Sequence, residues 1–157
     1  MRIFNFLGLV GEVFSRGLYD LSDRLEDEFD CISTVHNWPE WKSIKERTIR
    51  NGDKKEPIVI IGHSLGARAA IKLSKALKEA GFNVVTCICY DYVHNLIGKN
   101  DLVATKGVPT YHFMSRDIRV RKLKGAKNIS YKDLSHIQLD NSPLIRDETV
   151  DILGRLL

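Results

Sequence analysis

The chain has 157 residues, of which 43% are hydrophobic and 28% charged, and its formal net charge is +4. This composition is that of a soluble globular protein and argues against disorder; the basic excess falls short of the dense cationic stripe that marks a nucleic-acid-binding surface. The length fits one domain, residues 1–157, large enough for a core held between helices and a sheet.

Residues 2–7 read as a buried strand that ends in the loop Gly8-Leu9-Val10-Gly11. The short apolar run at this end is broken by Gly8, Gly11 and Glu12 before a signal-peptide core could form, and no stretch approaches a membrane span. From Phe14 the apolar residues Phe14, Leu18, Leu21, Leu25 and Phe29 recur in steps of three and four, which predicts an amphipathic helix. Residues 30–35 form a shorter, more polar strand suited to a sheet edge. Asn37-Trp38-Pro39-Glu40 opens a helix that runs through Trp41 and Ile44 to the stop at Asn51-Gly52-Asp53. Trp38 and Trp41 are read as helix-to-sheet packing rather than as a pocket floor.

Residues 58–61 are hydrophobic at consecutive positions, as a central parallel strand covered on both faces requires. The run meets Gly62-His63-Ser64-Leu65-Gly66 and then becomes a helical pattern carrying Leu65, Ala69, Leu73, Ala76, Leu77 and Ala80, closed by Gly81. Residues 84–90 are another strand, ending in Asp91, and 93–107 are the longest irregular stretch, placed to cover a site. A strand at 108–114 leads into Ser115-Arg116-Asp117, and 128–131 form a last short strand. Ser142-Pro143 opens a final helix carrying Leu144, Ile145, Val150, Leu153 and Leu157. Strands alternating with helices predict an α/β fold: a mainly parallel sheet of five to six strands, with helices on both faces in a three-layer sandwich.

Strand, serine between glycines, then helix is the context of a nucleophile elbow, in which a strained turn exposes the Ser64 hydroxyl. A serine needs a base to take its proton. Of the five histidines, His36 and His94 lie in loops, His63 is the variable position of the elbow and His112 lies in a strand. His136 lies between the last strand and the final helix, where a Ser, Asp, His chain order puts the base. Asp91 and Asp117 each follow a strand directly and are the two candidate acids. Asp91 is favoured by its apolar context, whereas Asp117 has Arg116 and Arg119 to pair with, and Asp133 is read as shaping the His136 loop. Backbone N–H groups to receive an oxyanion are available at Leu65 and at Leu9 or Val10.

Cys31, Cys87 and Cys89 sit in apolar runs without metal-ligand spacing, so buried free thiols and a reducing, cytoplasmic compartment are expected, with no metal. The basic run Arg116, Arg119, Arg121, Lys122, Lys124 and Lys127 is read first as a solvated turn and second as a dock for an acidic carrier, a phosphate-bearing acyl donor or anionic lipid.

With Gly8-Leu9-Val10-Gly11, Gly62-His63-Ser64-Leu65-Gly66, Asp91 and His136 in this order, the chain resembles the α/β-hydrolase superfamily, particularly its small thioesterase- or lipase-like members. The resemblance implies a serine hydrolase that cleaves a carboxylic ester or thioester without a cofactor. In it Ser64 is nucleophile, His136 base, Asp91 acid with Asp117 as the other choice, and Leu9 and Leu65 are oxyanion donors. Many relatives have His-Gly where this chain has Leu7-Gly8, and the large lid insertion is missing, which implies a shallow, open site. Two other readings compete: a non-catalytic binding module on the same fold, and a flavodoxin-like nucleotide or flavin binder. The latter is disfavoured because residues 8–11 lack the serines and threonines of a phosphate cradle.

Overall fold

Side chains along a strand point alternately to opposite faces, and in this chain both faces are apolar. The computed structural model describes residues 1–9, 16–93 and 102–157. In it β1 (Arg2–Leu7), β2 (Ile32–Asn37), β3 (Ile58–His63), β4 (Val84–Tyr90), β5 (Thr110–Met114) and β6 (Lys127–Ser130) form one sheet in the order β2-β1-β3-β4-β5-β6. Every neighbouring pair is parallel. The helices are α1 (Gly17–Glu28), α2 (Trp41–Asn51), α3 (Leu65–Glu79), α4 (His136–Asn141) and α5 (Pro143–Leu156).

Alternation sorts the core into two layers. Ile58 and Ile60 of β3 pack with Ile44 of α2 and with Ala69, Leu73 and Leu77 of α3. Val59 and Ile61 pack on the other face with Leu18, Leu21 and Leu25 of α1, Leu139 of α4, and Ile145 and Leu153 of α5. The expected sandwich with helices on both faces is therefore present. All six residues of β3 are buried, as a central strand demands, while the edge strand β2 keeps both ends exposed.

Several boundaries move. The edge strand runs 32–37 rather than 30–35, which leaves Cys31 just ahead of it. The helix expected from Asn37 begins as a 3₁₀ turn, Trp38–Glu40, where the Asn37 N–H donates to Glu40 Oε2 at 2.6 Å. Trp38 and Trp41 pack against the first apolar layer. His136, expected in a loop, is instead the first residue of the short helix α4. Six residues are too few to show an amphipathic period; the local sign is Gln138, whose Oε1 accepts the Ser135 N–H at 3.0 Å. Val10, Gly11, Glu12, Phe14 and His94 lie outside the described residues.

The chain passes from β1 outward to β2 and then returns across β1 to β3, so strand order reverses between β1 and β3. A crevice opens at such a point beyond the carboxyl ends of the strands, where the turns after β1 and β3 lie side by side. Among the described residues no helix is long and apolar enough to cross a membrane.

Ile60 is fully buried in β3, whereas Ile32 on the edge is 56% exposed. Ile60→Ala is expected to lower the unfolding free energy by about 2–5 kcal/mol. Ile32→Ala is expected to cost less than about 1 kcal/mol. Urea unfolding midpoints of the two variants measure the difference.

Candidate functional site

Ser64 is the single residue between β3 and α3, and its backbone has φ 58° and ψ −117°. A side-chain-bearing residue held there costs of order 1–3 kcal/mol, which the surrounding packing must offset. Two hydrogen bonds hold the turn: the Ser64 N–H donates to the Tyr90 carbonyl at 2.9 Å, and the Ser64 carbonyl accepts the Ala67 N–H at 3.1 Å. The flanking glycines are dictated by space. A Cβ on Gly62 would lie 2.2 Å from the Gly66 carbonyl oxygen, and one on Gly66 would lie 2.0 Å from that of Phe6. Strand β1, strand β3 and helix α3 thus meet at backbone distance, and only glycine fits where they meet.

Leu65 opens α3, so its N–H belongs to the first turn and has no intrahelical acceptor. The turn after β1 lies against Ser64: a Cβ on Gly8 would be 3.0 Å from Ser64 Cβ and 3.6 Å from Ser64 Oγ. Leu9, beside it, lines the same cavity and is 65% exposed; Val10, its alternative, lies outside the described residues.

Asp91 follows β4 directly, also with positive φ (47°), and is fully buried. Its carboxylate is held from two sides. Oδ1 accepts the Ser115 N–H at 2.6 Å, and Oδ2 accepts from His136 Nδ1 at 2.8 Å. A proton on Nδ1 leaves Nε2 as the basic nitrogen of the neutral ring. Ser64 and His136 line one cavity of about 590 Å³ together with Gly8, Leu9, His63, Leu65, Val93, Asp117, Arg119, Ser135 and Ile137. The structure records the His136–Asp91 bond and, among the described residues, no Ser64–His136 hydrogen bond.

Asp117 also lines the cavity but is bound elsewhere. Arg119 donates Nε to Oδ1 at 2.9 Å, Nη2 to Oδ2 at 2.6 Å, and its backbone N–H to Oδ1 at 2.9 Å. This guanidinium holds the Asp117 carboxyl down at about 2. Asp133 makes no contact with His136 that the structure records. The other residues of the basic run are exposed.

Three of the remaining histidines have other surroundings. His36 on β2 bonds Thr34 Oγ1 at 2.8 Å and packs beside Phe4 and Phe6. His112 is buried in β5, where Nε2 accepts the Tyr92 N–H at 2.9 Å and Nδ1 meets Asn128 Oδ1 at 2.9 Å. His63 is buried against His136: its Nε2 lies 3.1 Å from the His136 carbonyl oxygen, and the two rings are 4.6 Å apart at 35°. Behind it lies Asp140 of α4, 1% exposed, with Oδ1 4.0 Å from His63 Nδ1. Burial lowers His63 to about 4 and raises Asp140 to about 7. Neither residue carries a local sign of this contact in the sequence. His63 stood inside the motif without an assigned partner, and nothing local to Asp140 marks it.

One ligand atom each from His63, Asp91 and His136 lies within 4.8 Å of the others. His136 Nδ1 and Asp91 Oδ2 are bonded to each other and His63 Nε2 to a backbone carbonyl, so these donors are closed on one another rather than turned toward a central ion. The arrangement thus brings to one cavity a strained serine, the N–H of Leu65 without an intrahelical acceptor, and a histidine bonded to a buried carboxylate.

No protein-family model matches the chain, and no curated protein matches its sequence. Among solved structures it is similar to a protein of Xanthomonas campestris pv. campestris described as a candidate hydrolase of the alpha/beta superfamily. The two are 12% identical, with 96% of this chain and 98% of that chain covered and a TM-score of 0.58. At that identity the likeness is one of fold: a six-stranded parallel sheet with helices on both faces, in the architecture of an α/β-hydrolase neighbour.

Proposed function

We propose that this chain is a serine hydrolase that cleaves a carboxylic ester or thioester through an acyl-enzyme on Ser64. The observation that carries the reading is the His136–Asp91 bond of 2.8 Å at the wall of the cavity that Ser64 enters from its strained turn. Substrate binding brings Ser64 Oγ and His136 Nε2 together; such contacts are often long before the substrate arrives.

His136 Nε2 takes the hydroxyl proton as Oγ adds to the carbonyl carbon. The oxyanion receives the N–H groups of Leu65 and Leu9. Asp91 stays ionised, keeps the proton on Nδ1 and stabilises the imidazolium. When the tetrahedral intermediate collapses, the bond to the leaving oxygen or sulfur breaks, and that atom takes the proton from Nε2. Water, deprotonated by the same nitrogen, then adds to the acyl-enzyme; the bond to Ser64 Oγ breaks, Oγ takes the proton back from Nε2, and the acid leaves. Leu9, Leu65, Val93 and Ile137 form an apolar wall for the acyl group. The three cysteines are free, which fits the reducing, cytoplasmic setting proposed with this activity.

A fluorophosphonate probe is expected to label Ser64 in the wild type and not in Ser64→Ala, as read by mass spectrometry of the labelled peptide. Absence of both labelling and turnover of short acyl esters and thioesters would leave a non-catalytic binding module as the reading.

The acid is decided by two separate substitutions. Asp91→Asn is expected to reduce kcat by about 10³–10⁴-fold by spoiling the tautomer of His136. Asp117→Asn, which removes a carboxylate already paired with Arg119, is expected to stay within about tenfold of wild type. A dead Asp117→Asn beside an active Asp91→Asn transfers the role to Asp117.

A further inference from the structure

We propose that His63, backed by Asp140, is a positioning residue that holds the imidazole of His136 in place for Ser64; this rests on the serine hydrolase reading above. A carbonyl oxygen only accepts, so the 3.1 Å contact with the His136 carbonyl puts a proton on His63 Nε2. That bond fixes the backbone of His136 at the first position of α4, where the chain enters the helix. The His63 ring, 4.6 Å from the His136 ring, then limits the rotation of that ring about χ1 and χ2. His63 is itself fixed as the last residue of β3, next to Ser64. One short path therefore ties the position of the nucleophile to that of its base.

Asp140 completes the arrangement. With Nε2 protonated, the Nδ1 of a neutral His63 carries a lone pair, and Asp140 Oδ1 faces it at 4.0 Å. Asp140 Oδ2 is buried without a hydrogen-bond partner among the described residues and Oδ1 has a long one, from Asn141 Nδ2 at 3.4 Å, so ionising this carboxyl buries a charge that is only partly compensated, beside a lone pair. Burial favours the neutral form of both groups, so between about pH 4 and pH 7 the carboxyl of Asp140 keeps its proton and His63 carries none on Nδ1. Among the described residues, the other titratable or charged groups around the pair include Asp91 after β4, Tyr90 in β4, His136 in α4 and Arg146 in α5. Because the folded carboxyl titrates higher than an unfolded one, the proton is lost as pH rises through about 7, and the hold on His136 weakens in that direction.

Three variants test this. His63→Phe keeps a ring against His136 but removes the donor; kcat is expected to fall 10–100-fold with KM within about twofold. His63→Gln restores an N–H and is expected to recover kcat to within about fivefold of wild type. Asp140→Asn cannot ionise, so its kcat relative to wild type is expected to rise at least threefold between pH 6 and pH 8.5. The downfield proton resonance of His136 Nδ1–H is expected to shift or broaden in His63→Phe and to return in His63→Gln. Wild-type kcat and an unchanged resonance in His63→Phe, or a flat Asp140→Asn ratio, would overturn the proposal. The resonance needs no turnover, so it tests positioning even if Ser64 resists the fluorophosphonate probe and the hydrolase reading falls.

Discussion

The site depends on a steric constraint, the contact of β1, β3 and α3 at backbone distance. Gly62 and Gly66 permit that contact, and it forces the chain at Ser64 through a region of φ and ψ that a serine occupies only under strain. The strain is held by the sheet, since Ser64 donates its N–H to Tyr90 on the neighbouring strand. A turn that tight lifts the side chain above the sheet edge and leaves the first N–H groups of α3 pointing the same way. The strained turn at Ser64 and the N–H of Leu65 without an intrahelical acceptor are two consequences of one packing contact.

Charge at the site is arranged by burial rather than by the basic excess of the chain. Asp91 is fully enclosed, and its two oxygens each have one donor, from Ser115 and His136, so the carboxylate has a fixed direction. Asp117 shares the cavity but is neutralised by a two-point guanidinium contact, which makes it a poor orienter of an imidazole. Two carboxylates of similar placement in the sequence thus have different electrostatic surroundings. His63 and Asp140 form a second buried acid–base contact behind the first, and there Asp140 Oδ2 has no hydrogen-bond partner among the described residues. A carboxyl left in that state is the kind of feature a fold retains when it contributes something other than stability.

The alternation of strands and helices was legible because it is local. β3 opens on the continuous apolar run 58–61, β1 and β4 are apolar but for Arg2, Asn5 and Thr86, and α1 and α3 repeat at helical spacing, so each element carries its own signal. The edge strand was displaced by two residues because a half-exposed strand has a weak pattern, and α4 was missed because six residues do not complete two turns. Ser64 could be found from five residues, since the glycines are needed by contacts close in sequence as well as in space. Asp91 and His136 could be proposed only from their places after strands. Their 45-residue separation says nothing about a distance of 2.8 Å.

By itself the sequence determined the α/β class, the buried central strand and the strained serine, because periodicity and glycine sterics act over a few residues. The tertiary structure alone decided which carboxylate meets His136, that Arg119 occupies Asp117, and that His63 and Asp140 stand behind the histidine. Those contacts join β3, the turn after β4, the segment after β5 and α4, which are far apart along the chain. They exist only because a parallel sheet delivers the carboxyl ends of its strands to one edge, where long-range packing sets the distances that chemistry requires.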